Sequence, residues 1–211
     1  MAGVRDDFLA TARAAALLLR DPAVLAAWDE PSALPEFSVR GLAGHLAYQV
    51  LAVSQALAEP APTEPVVPLL EHYARVAWIG ADLSADINVR IRDGGEALAS
   101  DGPSSLLARV DSALSSLEHD LAAAGGPVRI PLWGPWALTL DDLLITRMME
   151  LVVHTDDLAV SVDIPTPPVP PSAMETVLDL LTRLAVRRHG PTNVLRALTR
   201  TERAPTTITA F

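Results

Sequence analysis

Residues 147–160 read RMMELVVHTDDLAV. The run has the composition of a helix, yet Glu150, His154 and Asp157 stand at steps of four and three among Met, Leu and Val. Extended to 140–162, the helix carries one stripe of Leu143, Arg147, Glu150, His154, Asp157 and Ser161, and nearly every other position is apolar. Two readings compete. Most charged side chains are exposed, which makes the stripe a solvent face. A helix apolar nearly all round is mostly buried, which turns its polar stripe toward something inside the protein. Glu and His four apart point the same way, separated by roughly 6 Å along the axis, so both can reach one ion.

Working outward, Thr139 with Asp142 three residues on resembles a capping box that opens this helix. Before it, PVRIPLWGPWALTL (127–140) places a GP turn between two short apolar runs, which predicts a small hairpin. Upstream, helical spacing predicts helices over about 4–28, 39–58, 69–92 and 104–126. Pro22 shortens or kinks the first of these, Ser38 caps the second, RDGG (92–95) breaks the third and Gly125–Gly126 stops the fourth. After the stiff connector DIPTPPVPPS (163–172) come a helix over 172–189, a short one over 192–200 and an extended tail. Long helices with long connections suggest an antiparallel bundle over 1–163, with residues 164–211 added as a helical extension packed on it.

Composition narrows the function. The 211 residues are 50% hydrophobic but only 4% aromatic, so the core is built of Ala, Leu and Val, which suits helices. There is no cysteine, which excludes disulfides, thiolate metal sites and a cysteine nucleophile; any thiol chemistry needs an external thiol. A formal charge of −10, without a basic cluster longer than Arg187–Arg188, argues against nucleic acid or an anionic membrane as partner. Acids fall within the first seven residues and no apolar run is long enough to span a bilayer, so the expectation is a cytoplasmic protein. The Ala, Pro and Arg bias with scarce Lys points to a bacterial source with a GC-rich genome.

In FSVRGLAGHLAYQVLAV (37–53), His45 sits among Leu42, Leu46, Val50 and Val53, with Gly41, Gly44 and Ala47 close by. A lone core histidine with a satisfied nitrogen is the common case. The small neighbours, however, let a facing helix or a ligand approach the backbone. His72 beside Tyr73, His119 between acids and His189 at a helix end read as ordinary structural residues. Arg147 is expected to be exposed, or else to pair with Glu150 or to meet an anionic substrate.

FSVRGLAGHLA and MELVVHTDDLA, with PLWGPWALTLDDLL before the second, resemble the DinB/YfiT-like metalloenzymes. Within these they are most similar to the mycothiol-dependent maleylpyruvate isomerase N-terminal domain group. The resemblance covers about residues 5–163 and departs at Phe37, where Trp is usual, and at Gly41, where an acid is common. It implies an all-α fold: a DinB-like four-helix bundle with a short β hairpin before the last bundle helix. It also implies one divalent metal, usually zinc, on His45, Glu150 and His154, which puts the polar stripe inside the bundle. Asp157 matches the family's acid one turn on and is the candidate for a catalytic role, by orienting a ligand imidazole or a bound substrate.

The cofactors implied are that metal and a thiol such as mycothiol. The partners implied are a small electrophile and the thiol, with homodimerisation open. The activity expected is S-transfer to the electrophile or its thiol-assisted isomerisation. The alternative is a non-catalytic metal-binding or regulatory module on the same bundle. The extension after 163 is similar only to short members of the group, which lack the larger C-terminal domain.

Overall fold

The computed structural model describes residues 3–211, so residues 1 and 2 of the expected bundle lie outside it. The first helix, α1 (Val4–Leu18), buries Phe8, Ala12 and Ala15 on the face that the spacing marks. It stops well short of residue 28. The chain turns, Asp21 accepts from the amide of Ala23 at 2.8 Å, and Pro22 opens a separate short helix, α2 (Pro22–Ala26). Proline has no N–H to continue the first helix, but its fixed φ suits a helix start.

Ser38 caps α3 (Val39–Ala58), its hydroxyl accepting from the amide of Gly41 at 2.9 Å. The helix expected over 69–92 is in fact two, α4 (Leu69–Arg75) and α5 (Asp86–Leu98), with an irregular segment between. The second of these also runs through Gly94–Gly95 instead of breaking there. The physical reason is its neighbour. A Cβ at Gly44 of α3 would lie 2.0 Å from the Gly95 carbonyl oxygen, and one at Gly95 would lie 2.3 Å from the Gly41 carbonyl oxygen. Glycine costs a helix about 1 kcal/mol relative to alanine, but here it lets two helix backbones touch. Glu96 of α5 occupies the space that a side chain at 41 would need, 2.5 Å from that Cβ position, and accepts hydrogen bonds from Ser38 and Arg40.

Next come α6 (Pro103–Ala123), the strands β1 (Pro127–Val128) and β2 (Leu138–Thr139), and α7 (Leu140–Ser161). The strands pair antiparallel, Pro127 opposite Thr139 and Val128 opposite Leu138. Thr139 caps α7 by accepting from the amide of Asp142 at 3.1 Å. Then follow α8 (Pro171–His189) and α9 (Pro191–Thr199), and a short 3-10 turn at Thr201–Arg203 interrupts the tail.

The helices α1, α7, α3 and α6 pack in a closed ring of neighbouring pairs, which is a four-helix bundle; α5 lies along α3, and α8 on α7 and α1. The fold is all-α, with the expected hairpin before the last bundle helix. The core between the four helices is aliphatic, with Leu42, Leu46, Leu117, Leu144, Met148 and Leu151 fully enclosed. Among the described residues no helix is long and apolar enough to cross a membrane.

Candidate metal centre

The stripe on α7 faces inward. Leu143 and Arg147 are buried, and Glu150, His154 and Asp157 are largely covered; the outer face carries Asp141, Asp156 and Val160 instead. Because α3 lies against α7, His45 meets the stripe. Its Nε2 is 3.6 Å from Glu150 Oε2, and His154 Nε2 is 3.1 Å from the same oxygen. The two imidazole rings stand edge to face with centroids 4.7 Å apart. One ligand atom from each of His45, Glu150 and His154 lies within 4.8 Å of the others.

The electrostatics follow from this crowding. Burial works to raise the Glu150 carboxyl, but hydrogen bonds from His154 and His45 and the charges of His154 and Arg147 outweigh it and hold the carboxyl well below the usual range. Burial also opposes charge on His154, yet hydrogen bonds to Asp157 and Glu150 raise it. Burial pushes His45 down, the His154 and Arg147 charges add to this, and the hydrogen bond to Glu150 only partly offsets it.

Asp157 lies 2.9 Å from Nδ1 of His154. This contact fixes the ring: Nδ1–H donates to the carboxylate, and Nε2 turns toward Glu150 and His45.

Gln49, one turn after His45, is fully buried in the same cluster. Its Nε2 donates to the His45 carbonyl at 2.9 Å and lies 3.2 Å from His45 Nε2, while its Oε1 accepts from Arg147. The orientation of the amide is forced, because a guanidinium offers only donors. Spacing alone could have found Gln49: a long polar residue four positions after His45 on a buried helix face.

Arg147 is 5% exposed, which overturns the expectation of a surface arginine, and it forms no ion pair with Glu150 among the described residues. Its Nε donates to Thr146 Oγ1 at 3.1 Å and its guanidinium carbon sits 4.7 Å from the centre of the Trp133 ring. The hairpin supplies that ring. Gly134 has φ 140° and Trp136 folds back over it, leaving no room for a Cβ. Trp136 in turn donates to Nδ1 of His72 at 3.1 Å. His72 is enclosed by Tyr73, Trp133 and Trp136 and held down to about 4, first by burial and then by the Arg147 charge. His72 is therefore a neutral core residue outside the three-donor cluster, His119 is exposed, and His189 pairs with the Thr209 carbonyl.

A cavity of about 250 Å³ opens over the cluster. Glu150, His45, His154 and Arg147 form one side; Phe37, Ile87, Ile91, Leu132, Val153 and Phe211 give an apolar body. The Phe211 ring packs against Trp78 at 4.8 Å, so the tail contributes to the wall, which the sequence did not announce.

A four-helix bundle whose facing helices converge two imidazoles and one carboxylate beneath a cavity belongs with the helical-bundle proteins that carry a candidate mononuclear metal centre. The chain belongs to the mycothiol maleylpyruvate isomerase N-terminal domain family, whose profile matches residues 8–159. No curated protein and no solved structure matches it.

Proposed function

We propose that this chain is a metal-dependent enzyme that uses a low-molecular-weight thiol such as mycothiol. In this reading the intact thiol gives up its proton and adds through its sulfur to a small electrophile, leaving as a thioether conjugate, or it isomerises that electrophile by addition and expulsion. The observation that carries the reading is the meeting of His45, Glu150 and His154, all within 4.8 Å, at the wall of one cavity.

The donor set fits a divalent cation. Two neutral imidazole nitrogens and a carboxylate suit zinc and leave coordination positions open, as catalytic sites require. The field that favours a proton on His154 Nε2 favours a dication there as well, since Glu150 and Asp157 supply the negative charge. A cation held there supplies Lewis acidity that favours the thiolate form of a bound thiol.

The chain's own residues do the rest. Asp157 holds His154 in the tautomer that presents Nε2. Gln49 ties the α3 backbone at His45 to the Arg147 guanidinium. The apolar walls keep water away from the thiol and the electrophile. With no cysteine in the chain, the reacting sulfur comes from the small molecule.

The test is metal analysis of the purified protein, followed by incubation of the zinc-loaded form with mycothiol and a panel of electrophiles, with mass spectrometry for conjugates and for isomerised acceptor. One zinc per chain and zinc-dependent product support the reading. Stoichiometric zinc without product reduces the protein to a metal-binding module, and absence of metal refutes the centre itself.

A further inference from the structure

The cavity wall carries one side chain that is always cationic; its charge helps keep Glu150 ionised, but it forms no close ion pair with the cluster. Arg147 is 95% covered, lines the cavity and has no carboxylate within ion-pair distance among the described residues. A guanidinium has five N–H donors. One goes to Thr146 and one to Gln49. The Trp133 ring lies against the guanidinium carbon, and Thr146 and Gln49 hold two of its nitrogens, which leaves three unused N–H donors on Nη1 and Nη2. A buried charge without a counter-ion is costly, and a planar guanidinium can match a carboxylate through two parallel hydrogen bonds.

We propose that Arg147 is the anion-docking residue of this cavity. The molecule that enters carries a carboxylate, or an equally planar anionic group, on Arg147, and lays an apolar body against Phe37, Leu132, Ile87 and Val153. The proposal builds on the reading of the cavity as a substrate chamber and names the chemistry of what it takes.

Charge supports it. Before a thiolate binds, a dication with Glu150 and Asp157 sums to zero and Arg147 leaves the cavity net positive, which favours an anionic ligand. Distance supports it too. Gln49 alone bridges His45 Nε2, at 3.2 Å, and the guanidinium. The guanidinium nitrogen bound to Gln49 therefore lies within roughly 8 Å of His45 Nε2. A compact acid spans that gap, with its reacting atom a few bonds from its carboxylate.

The probes are benzoate and benzamide, which share shape and differ in charge. Their binding is measured by calorimetry on zinc-loaded and metal-free protein, wild type and Arg147→Met, with zinc stoichiometry measured on the same samples. We expect wild type to prefer benzoate by at least about tenfold. Arg147→Met should weaken benzoate by at least about tenfold, leave benzamide within about twofold, and leave zinc content unchanged. Benzoate affinity unchanged in the variant would place the anion on the metal or on His154 and overturn the proposal. An equal loss for both probes would also overturn it, since shape would then be what Arg147 provides. So would the absence of any preference in wild type. Should Arg147→Met fail to fold, Arg147→Lys decides: it keeps the charge but not the planar guanidinium, so benzoate should weaken at least about threefold and still be preferred, and wild-type affinity would refute the paired hydrogen bonds. Preference for benzoate in a protein that binds no zinc supports Arg147 while removing the metal reading, so the two failures are distinct.

Discussion

Asp157→Asn should weaken zinc binding by about tenfold, and the loss should depend on pH in a direction that the structure fixes. The Asp157 carboxylate sits 2.9 Å from Nδ1 of His154 with its side chain 24% exposed. Asparagine keeps the shape and an acceptor oxygen, so the ring should keep its orientation and only the charge is lost. A hydrogen bond to an ionised acceptor is worth roughly 1 kcal/mol more than a neutral one, or several-fold in affinity, and outer partners of metal-bound histidines typically matter ten- to a hundredfold. Partial exposure places this case at the low end.

The pH dependence follows from competition between proton and metal for His154 Nε2. Asp157 is the largest of the influences raising His154, so it strengthens the competing proton as well as the metal. At alkaline pH no proton competes and the full loss should appear. Near pH 6, wild type must release a proton that the same carboxylate holds, and the gap between the two proteins should narrow. The assay is competition against a chromophoric zinc chelator at several pH values, with circular dichroism as the control for folding. Equal affinities at alkaline pH, or a gap that widens toward acid, would refute the role assigned to Asp157.

His154→Ala should abolish stoichiometric zinc while helical content stays near wild type, because alanine favours helix and the surrounding Met and Leu contacts remain; His119→Ala should change neither, and full zinc in the His154 variant would show the centre to be elsewhere. Gly44→Ala should destabilise the fold by about 1–3 kcal/mol, lowering the melting temperature by several degrees, since the new methyl meets the Gly95 carbonyl oxygen at 2.0 Å. A rise in melting temperature would mean that helix propensity outweighs the clash. His72 is held down to about 4 in the fold, below its ordinary value near 6.5, so its contribution is complete above about 6.5 and is lost as pH falls toward 4, by up to about 3 kcal/mol. Urea unfolding across that window should show a shallower pH dependence for His72→Gln, and an unchanged slope would count against the neutral buried imidazole.

Local chemistry alone determined much of this protein. Ser38 and Thr139 announce the starts of α3 and α7, because a side-chain oxygen there satisfies an amide that the helix cannot. The step of four from Glu150 to His154 put both on one face whatever surrounds them. Such signals depend on residues a turn apart and survive without knowledge of the rest. What the sequence could not decide was which way the stripe on α7 faces, since exposed and inward polar stripes have the same spacing; only the packing of α3 against α7, which brings His45 to Glu150, decides it. The same holds for the Gly94–Gly95 pair, which breaks a helix in isolation but here seats α5 against Gly41 and Gly44. It holds for Arg147 as well. Its burial depends on Trp133 from the hairpin and Gln49 from α3, 14 and 98 positions away in the chain, and contacts at that separation leave no periodic trace in the sequence.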